Sequence, residues 1–294
     1  MNARINAELF KKARFLKITL PRMGIMRKVS LPAPPDADPA RLKHAKQINV
    51  SGEYDSIAEL QNATKAWCLA RSMPSCILPG LFAVSVDEVE NITNKLEAQK
   101  AKLDPLVQDL VNAWPRLVEN ARYALNGSFN AADYLPAESV PAKFGITYNW
   151  LQLDVPEGLP PEIRKQEEAK LRKQFEDAQK EIIEALREGF AALVDHAVDK
   201  LSTKPGEKQK IFRDSLVENF TEFFDTFNAR NLMQDEELAK IVEQARNIMG
   251  NVGAQTLRES GRARQTVVQK LTEVQAVMDT LLTERKSRKF DLAD

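Results

Sequence analysis

The sequence predicts a mainly α protein, an elongated antiparallel helical hairpin or bundle with a small β element near the N-terminus and the hairpin tip. Three observations predict it. Two long apolar series recur at helical spacing, one over 85–125 and one over 160–203. A proline-dotted stretch, 128–161, separates them. Gly and Pro are scarce, at 11 and 15 of 294 residues, so long regular segments meet few breakers.

The first 84 residues form a basic N-terminal segment. Ile18, Thr19, Leu20, Ile25 and Val29 surround Pro21 and Gly24, which reads as a short hairpin or two extended segments over 15–31. Four prolines in 32–39 force a loop or extended linker. Residues 40–50 and 55–71 read as helices, the second placing Ile57, Leu60, Ala63, Thr64, Trp67 and Arg71 on one face. Ser72–Pro79 breaks the chain again.

A long helical hairpin is expected over 85–203. Ser85 and Glu88 have the Ser-x-x-Glu spacing of a capping box, so a helix is expected to begin at Ser85. Its series runs through Ile92, Leu96, Leu103, Leu110, Trp114 and Leu117, with Pro105 and Pro115 dividing it into two or three collinear or kinked pieces and Asn126-Gly127 ending it. Within the tip, 146–155 alternates as a strand and is a candidate to pair with the 15–31 segments. Pro160 and Pro161 then open a helix carrying Phe175, Ile182, Leu186, Phe190 and Leu201, ~65 Å long at 1.5 Å per residue. A helix of that length asks for a long neighbour, and 86–125 is the candidate.

Residues 204–294 read as a C-terminal helical bundle. Phe212, Leu216, Phe220, Phe223 and Phe227 form a core stripe. Asp235 caps a helix that ends at Gly250, and a last helix spans 254–287.

Forty-two basic residues balance forty-two acidic ones, but unevenly. Residues 1–46 hold eleven Lys or Arg against three acids, a net of +8. Residues 258–290 net +4 and the middle of the chain, 47–257, nets −10. A basic end attracts phosphate, anionic lipid or an acidic protein face, and can equally dock on this chain's own acidic middle. The candidate partner-binding residues are Lys11, Lys12, Arg14, Lys17, Arg22, Arg27 and Lys28 of the basic arm, Tyr148 and Trp150 of the tip, and Arg258 and Arg262. The last two share a face of the last helix and could hold a phosphate or a carboxylate row.

Signatures of catalysis are missing. The sequence has no phosphate-binding Gly-x-x-x-x-Gly-Lys loop, no His-Glu-x-x-His, no Cys-x-x-Cys and no Gly-x-Ser-x-Gly. With two His and two Cys, no catalytic, cofactor-binding or metal-binding residue is assigned, and a non-enzymatic protein is expected. Cys68 and Cys76 read as buried thiols of a reducing cytoplasm, with a disulfide as the alternative. No apolar run approaches the ~20 residues of a bilayer span.

Three blocks carry a resemblance. They are LPGLFAVSVDEVENI at 78–92, IFRDSLVENFTEFFDTFNARNLMQDEELAKIVEQAR at 211–246 and LRESGRARQTVVQKL at 257–271, with ITLPRMGIMRKVSL at 18–31 as a weaker match. Together they resemble a mostly helical domain family of unknown function from bacteriophages and mobile elements. Its members are often encoded beside a MoxR-type AAA+ ATPase and a von Willebrand factor A-domain protein. The resemblance implies a cytoplasmic adaptor or scaffold with those partners, and it brings no catalytic residues. Two alternatives remain open on the residues alone. One is a membrane-active helical protein with CILPGLFAV or ITYNWLQL as its tip. The other is a nucleic-acid-binding or structural assembly protein using the basic arm.

Overall fold

A computed structural model describes residues 12–29, 44–74, 77, 80–202, 210–250 and 252–288. Among them the chain is mainly helical with a small antiparallel component, the fold class expected. Its strands are β1 (Ala13–Thr19), β2 (Met26–Val29), β3 (His44–Gln47), β4 (Met73–Pro74), β5 (Leu81–Ser85) and β6 (Thr147–Leu151). Its helices are α1 (Gly52–Leu69), α2 (Val89–Leu125), α3 (Pro161–Leu201), α4 (Ser215–Arg230), α5 (Glu236–Met249), α6 (Ala254–Glu259) and α7 (Gly261–Arg288). The proline-rich stretch 32–39, Cys76 and Lys11 lie outside the described residues.

Two compact units divide the chain, and each is discontinuous in sequence. The first takes 1–16, 70–89 and 150–294; the second takes 17–69 and 90–149. The two long helices therefore fall in different units. Four strands form one sheet in the order β4-β5-β1-β6, so the tip strand does lie beside the N-terminal one, as expected. Gly80, at φ 80°, turns the chain into β5 in a conformation other residues rarely take.

In the first unit, α3 finds its long neighbour in α7. Arg264 of α7 meets the C-terminal carbonyls of α3, and Gln275 donates to Asp195 further back along α3, so the two run antiparallel. Phe175, Ile182, Leu186 and Phe190 of α3 share a core with Val267, Leu271 and Val274 of α7 and with the aromatic stripe of α4. Phe190, Phe223 and Phe227 pack at ring separations of 5.1 and 6.0 Å, so that stripe is core. The N-terminal strand joins it through Phe15, 6.0 Å from Phe175.

In the second unit, Tyr54, Ile57, Ile92, Leu96, Leu103, Leu110, Trp114, Val140, Phe144 and Ile146 are buried. The α1 stripe runs Tyr54, Ile57, Gln61, Thr64 and Cys68, one step off the expected face, which leaves Ala63 exposed and Trp67 half-buried. Here β2 and β3 form a separate ribbon with Met26 opposite Gln47 and Val29 opposite His44.

Four local expectations are corrected. Residues 44–47 are a strand, not a helix, because pairing with β2 satisfies their backbone. Ser85 ends β5 and makes no side-chain cap bond; a 3-10 turn over Val86–Glu88 intervenes before α2 begins at Val89. Helix α2 runs unbroken through Pro105 and Pro115, not in pieces. The final helix is two helices, broken at Ser260, whose hydroxyl accepts from the Ala263 amide and starts α7.

Candidate functional site

The first unit carries a cleft of about 550 Å³ at the corner between α4 and α5. The corner follows from local chemistry. Helix α4 stops at Arg230, and the Asn231 side chain then ties the turn: its Oδ1 accepts from the Asp235 amide at 2.8 Å and its Nδ2 donates to the Asp235 carbonyl at 3.3 Å. Asp235 caps α5 by accepting from the Leu238 amide at 3.1 Å. Between them Gln234 is forced to φ 55°, a left-handed conformation that costs a non-glycine residue about 1 kcal/mol or more.

The end of β5 and the turn after it also line the cleft, with Ser85, Val86 and Asp87. Lys12, immediately before β1, completes the ring and donates to Gln234 Oε1 at 2.9 Å. Its apolar lining residues differ in exposure: Leu232 is buried, Ala239 half-buried and Val86 exposed. Asn228, Glu236 and Asp87 also line the cleft. Both of these carboxylates are exposed, and among the described residues neither makes an ion pair.

Asp235 behaves differently. Burial pushes its carboxyl up, but the Arg187 guanidinium and the Leu238 and Glu237 amides outweigh burial and hold it below its ordinary value. Arg187 binds it through two nitrogens at 2.5 and 2.9 Å and reaches Glu237 at 3.1 Å. This carboxylate is committed to structure, whereas Asp87 and Glu236 remain open.

The expected partner-binding residues are dispersed. Lys12 lines the cleft. Arg14 is exposed beside it in sequence and donates to its own neighbour, the Ala13 carbonyl. Lys17 is exposed on β1 and Lys28 on β2. Arg22 is held by α1, donating to Gln61, Asn62 and the Ala58 carbonyl. Arg27 folds back on the carbonyls of Gly24 and Met26. Tyr148 donates to Glu97 at 2.7 Å, and Trp150 is half-buried.

Arg258 and Arg262 do not form a row, because the break at Ser260 puts them on different helices. Arg258 pairs with Asp214 at 2.5 Å, and its guanidinium lies 5.2 Å from the Phe212 ring centroid. Arg264 faces the same ring at 5.4 Å and donates to the carbonyls of Leu201, Lys200 and Lys210. Arg262 is exposed.

A second cleft of about 550 Å³ lies in the second unit, where the start of α1 meets α2. Glu53 pairs there with Arg116 at 3.0 Å, and Val50 stands 78% exposed at its edge. Both clefts are surface features of mixed polarity. Among the described residues no group of three or more His, Cys, Asp or Glu is placed to hold a metal ion, and no helix is long and apolar enough to cross a membrane.

Sequence reasoning missed Asp87, Asn228, Gln234 and Glu236 because Asp87 stands far from the other three in the chain and none of them belongs to a motif. One signal was available for the corner: Asn231 and Asp235 flank a turn between two amphipathic helices, where side-chain caps concentrate. No family model, no curated protein and no solved structure matches the chain.

Proposed function

We propose that the protein is a non-enzymatic adaptor or scaffold, acting in the cytoplasm of a bacterial or phage-infected cell with a MoxR-type AAA+ ATPase and a von Willebrand A-domain protein. The partner class rests on the resemblance of 78–92, 211–246 and 257–271 to the phage and mobile-element family. The observation that carries the non-catalytic reading is the use to which buried and half-buried charge is put. Arg187, Asp235 and Arg264 are consumed in clamping helices together, and Lys46 in the second unit is bound to Asp133 at 2.7 Å. Catalytic sites keep such groups facing a cleft with their reactive atoms free. Here Asp87 and Glu236 are exposed at the cleft, where they suit recognition of another protein's surface.

The tagged chain, co-expressed with a MoxR-type AAA+ ATPase and a von Willebrand A-domain protein from the same genome, tests the reading. Retention of both through affinity and size-exclusion steps is the expected result. Recovery of the chain alone, with both proteins expressed and soluble, overturns it.

A further inference from the structure

We propose that Asn126-Gly127, where α2 gives way to the turn after it, is a site of self-modification at which the asparagine converts to aspartate and isoaspartate. The proposal stands apart from the adaptor reading. Three observations at this junction carry it.

The first is sequence. Asn126 is the only asparagine of the chain followed by glycine. With no side chain beside it, a glycine nitrogen can approach the amide carbon of the preceding asparagine unobstructed. The second is the way the two residue types are placed. Asn126 stands at φ 43°, the left-handed conformation that commonly ends a helix and that glycine adopts most easily. Gly127 lies outside that region, and a Cβ built on it meets nothing within 4 Å. The fold therefore has a use for glycine at 126 and makes no demand for it at 127, yet the chain carries the reverse order. Asparagine tolerates the left-handed position better than most side chains, so the helix still ends there. What glycine at 127 supplies is an unhindered nitrogen.

The third is freedom to react. Both residues are exposed, and among the described residues the Asn126 side chain makes no hydrogen bond. Asn130, also exposed, differs: its Oδ1 accepts from the Ala132 amide at 3.0 Å. One backbone bond opposes rotation at 126, from the Phe129 amide to the Asn126 carbonyl at 2.9 Å. A single bond in an exposed turn at a helix end opens locally without unfolding the rest.

The chemistry balances with water as the only co-reactant. The Gly127 backbone nitrogen gives up its proton to solvent and attacks Asn126 Cγ, its electron pair forming the new N–Cγ bond. The Cγ–Nδ2 bond breaks, and Nδ2 leaves with that pair, taking a proton from water to depart as ammonia. A cyclic imide remains, joining the main-chain carbonyl carbon and Cγ of residue 126 through the Gly127 nitrogen. Water adds at either ring carbonyl, and the bond from that carbonyl to nitrogen breaks. Opening at Cγ leaves aspartate. Opening at the main-chain carbonyl leaves isoaspartate, with the chain now running through the side chain. Either product sets a carboxylate at the negative end of the α2 dipole. Isoaspartate also lengthens the main chain just before Ser128, whose carbonyl accepts from Lys46 at 2.5 Å.

The test is peptide mapping by mass spectrometry on the full chain, sampled over time while held folded at mildly alkaline pH, with isoaspartate separated from aspartate by chromatography. Conversion at Asn126 is expected to run about tenfold faster than at Asn130, with both products present. Gly127→Ala should slow it about tenfold, because its Cβ crowds the attacking nitrogen, and should leave the thermal midpoint unchanged.

Equal conversion at Asn126 and Asn130 overturns the proposal, as does conversion of Gly127→Ala at the wild-type rate. Aspartate without isoaspartate overturns it too, since that outcome marks direct hydrolysis and not passage through the imide. Conversion in urea that is absent from the folded chain also overturns it, by showing that the fold keeps the nitrogen from the amide carbon.

Discussion

The Arg187 guanidinium lies flat against the Asp235 carboxylate, Nε 2.5 Å from Oδ2 and Nη2 2.9 Å from Oδ1, with both side chains almost wholly buried. One carboxylate thus does two things: it joins the middle of α3 to the start of α5 and it caps α5. Removing either member strands the other in the interior, at a cost of about 3–5 kcal/mol for a buried pair. Arg187→Met and Asp235→Ala should each lower the urea midpoint accordingly. The double variant Arg187→Met/Asp235→Leu should recover much of that loss, since it leaves no buried charge. Additive losses in the double variant would show that the two residues act independently.

The same pair sets a pH dependence. The folded Asp235 carboxyl lies below its ordinary value, because the Arg187 and amide contacts outweigh the opposing effect of burial. Its unfolded value is about 3.9, so its stabilisation is complete above that pH and is lost as pH falls through the lower folded value. Acid unfolding of wild type should therefore steepen below about pH 4. In Asp235→Asn that component is absent, and the stability difference between the two proteins should shrink as pH falls. Chemical denaturation at a series of pH values measures it.

Arg264 closes the far end of α3. Buried to 4% exposure, it donates to three carbonyls, those of Lys200, Leu201 and Lys210, and burial holds its guanidinium below the ordinary arginine value. Lysine carries a single nitrogen and cannot reproduce a planar fork spanning three acceptors. Arg264→Lys should cost about 2–3 kcal/mol and should speed amide hydrogen exchange over the last turn of α3, around 198–202. Unchanged exchange there would mean that packing against Phe212, and not the carbonyl contacts, holds this end.

These arginines explain what was legible in the sequence and what was not. Helical periodicity identified α3, α4 and α5 closely, down to the Asp235 cap and the Gly250 stop, because apolar spacing and caps are local. That α7 lies along α3 was not legible, since periodicity says that a face is buried and not against what. Arg187 and Arg264 each stand in an apolar series, between Leu186 and Phe190 and between Leu257 and Val267. A charged residue in such a register signals a buried clamp. Strand β3 was unreadable because four polar or small residues take their structure from β2 and not from themselves. The cleft was unreadable for the same reason: Lys12, Asp87, Asn228 and Glu236 meet only through tertiary packing.

Gln61 is the corresponding clamp of the second unit, and it carries the last prediction. It sits in the buried stripe of α1 with no solvent exposure. Its Nε2 donates to the Pro21 and Gly145 carbonyls at 3.0 and 2.9 Å, while its Oε1 accepts from Arg22 Nε at 2.8 Å. Three segments distant in sequence are thus joined through one amide. Gln61→Leu fills similar space but orphans two carbonyls and one guanidinium nitrogen, and should cost about 2–4 kcal/mol. Gln61→Glu keeps the acceptor for Arg22 but sets a carboxylate against two carbonyl oxygens. It should be at least as damaging at neutral pH and should recover in part as falling pH protonates the new acid, which can then donate once. Thermal unfolding of the three proteins at neutral and mildly acidic pH checks this. A Gln61→Glu protein as stable as wild type at neutral pH would show that Arg22 alone, and not the bridge to Pro21 and Gly145, is what Gln61 serves.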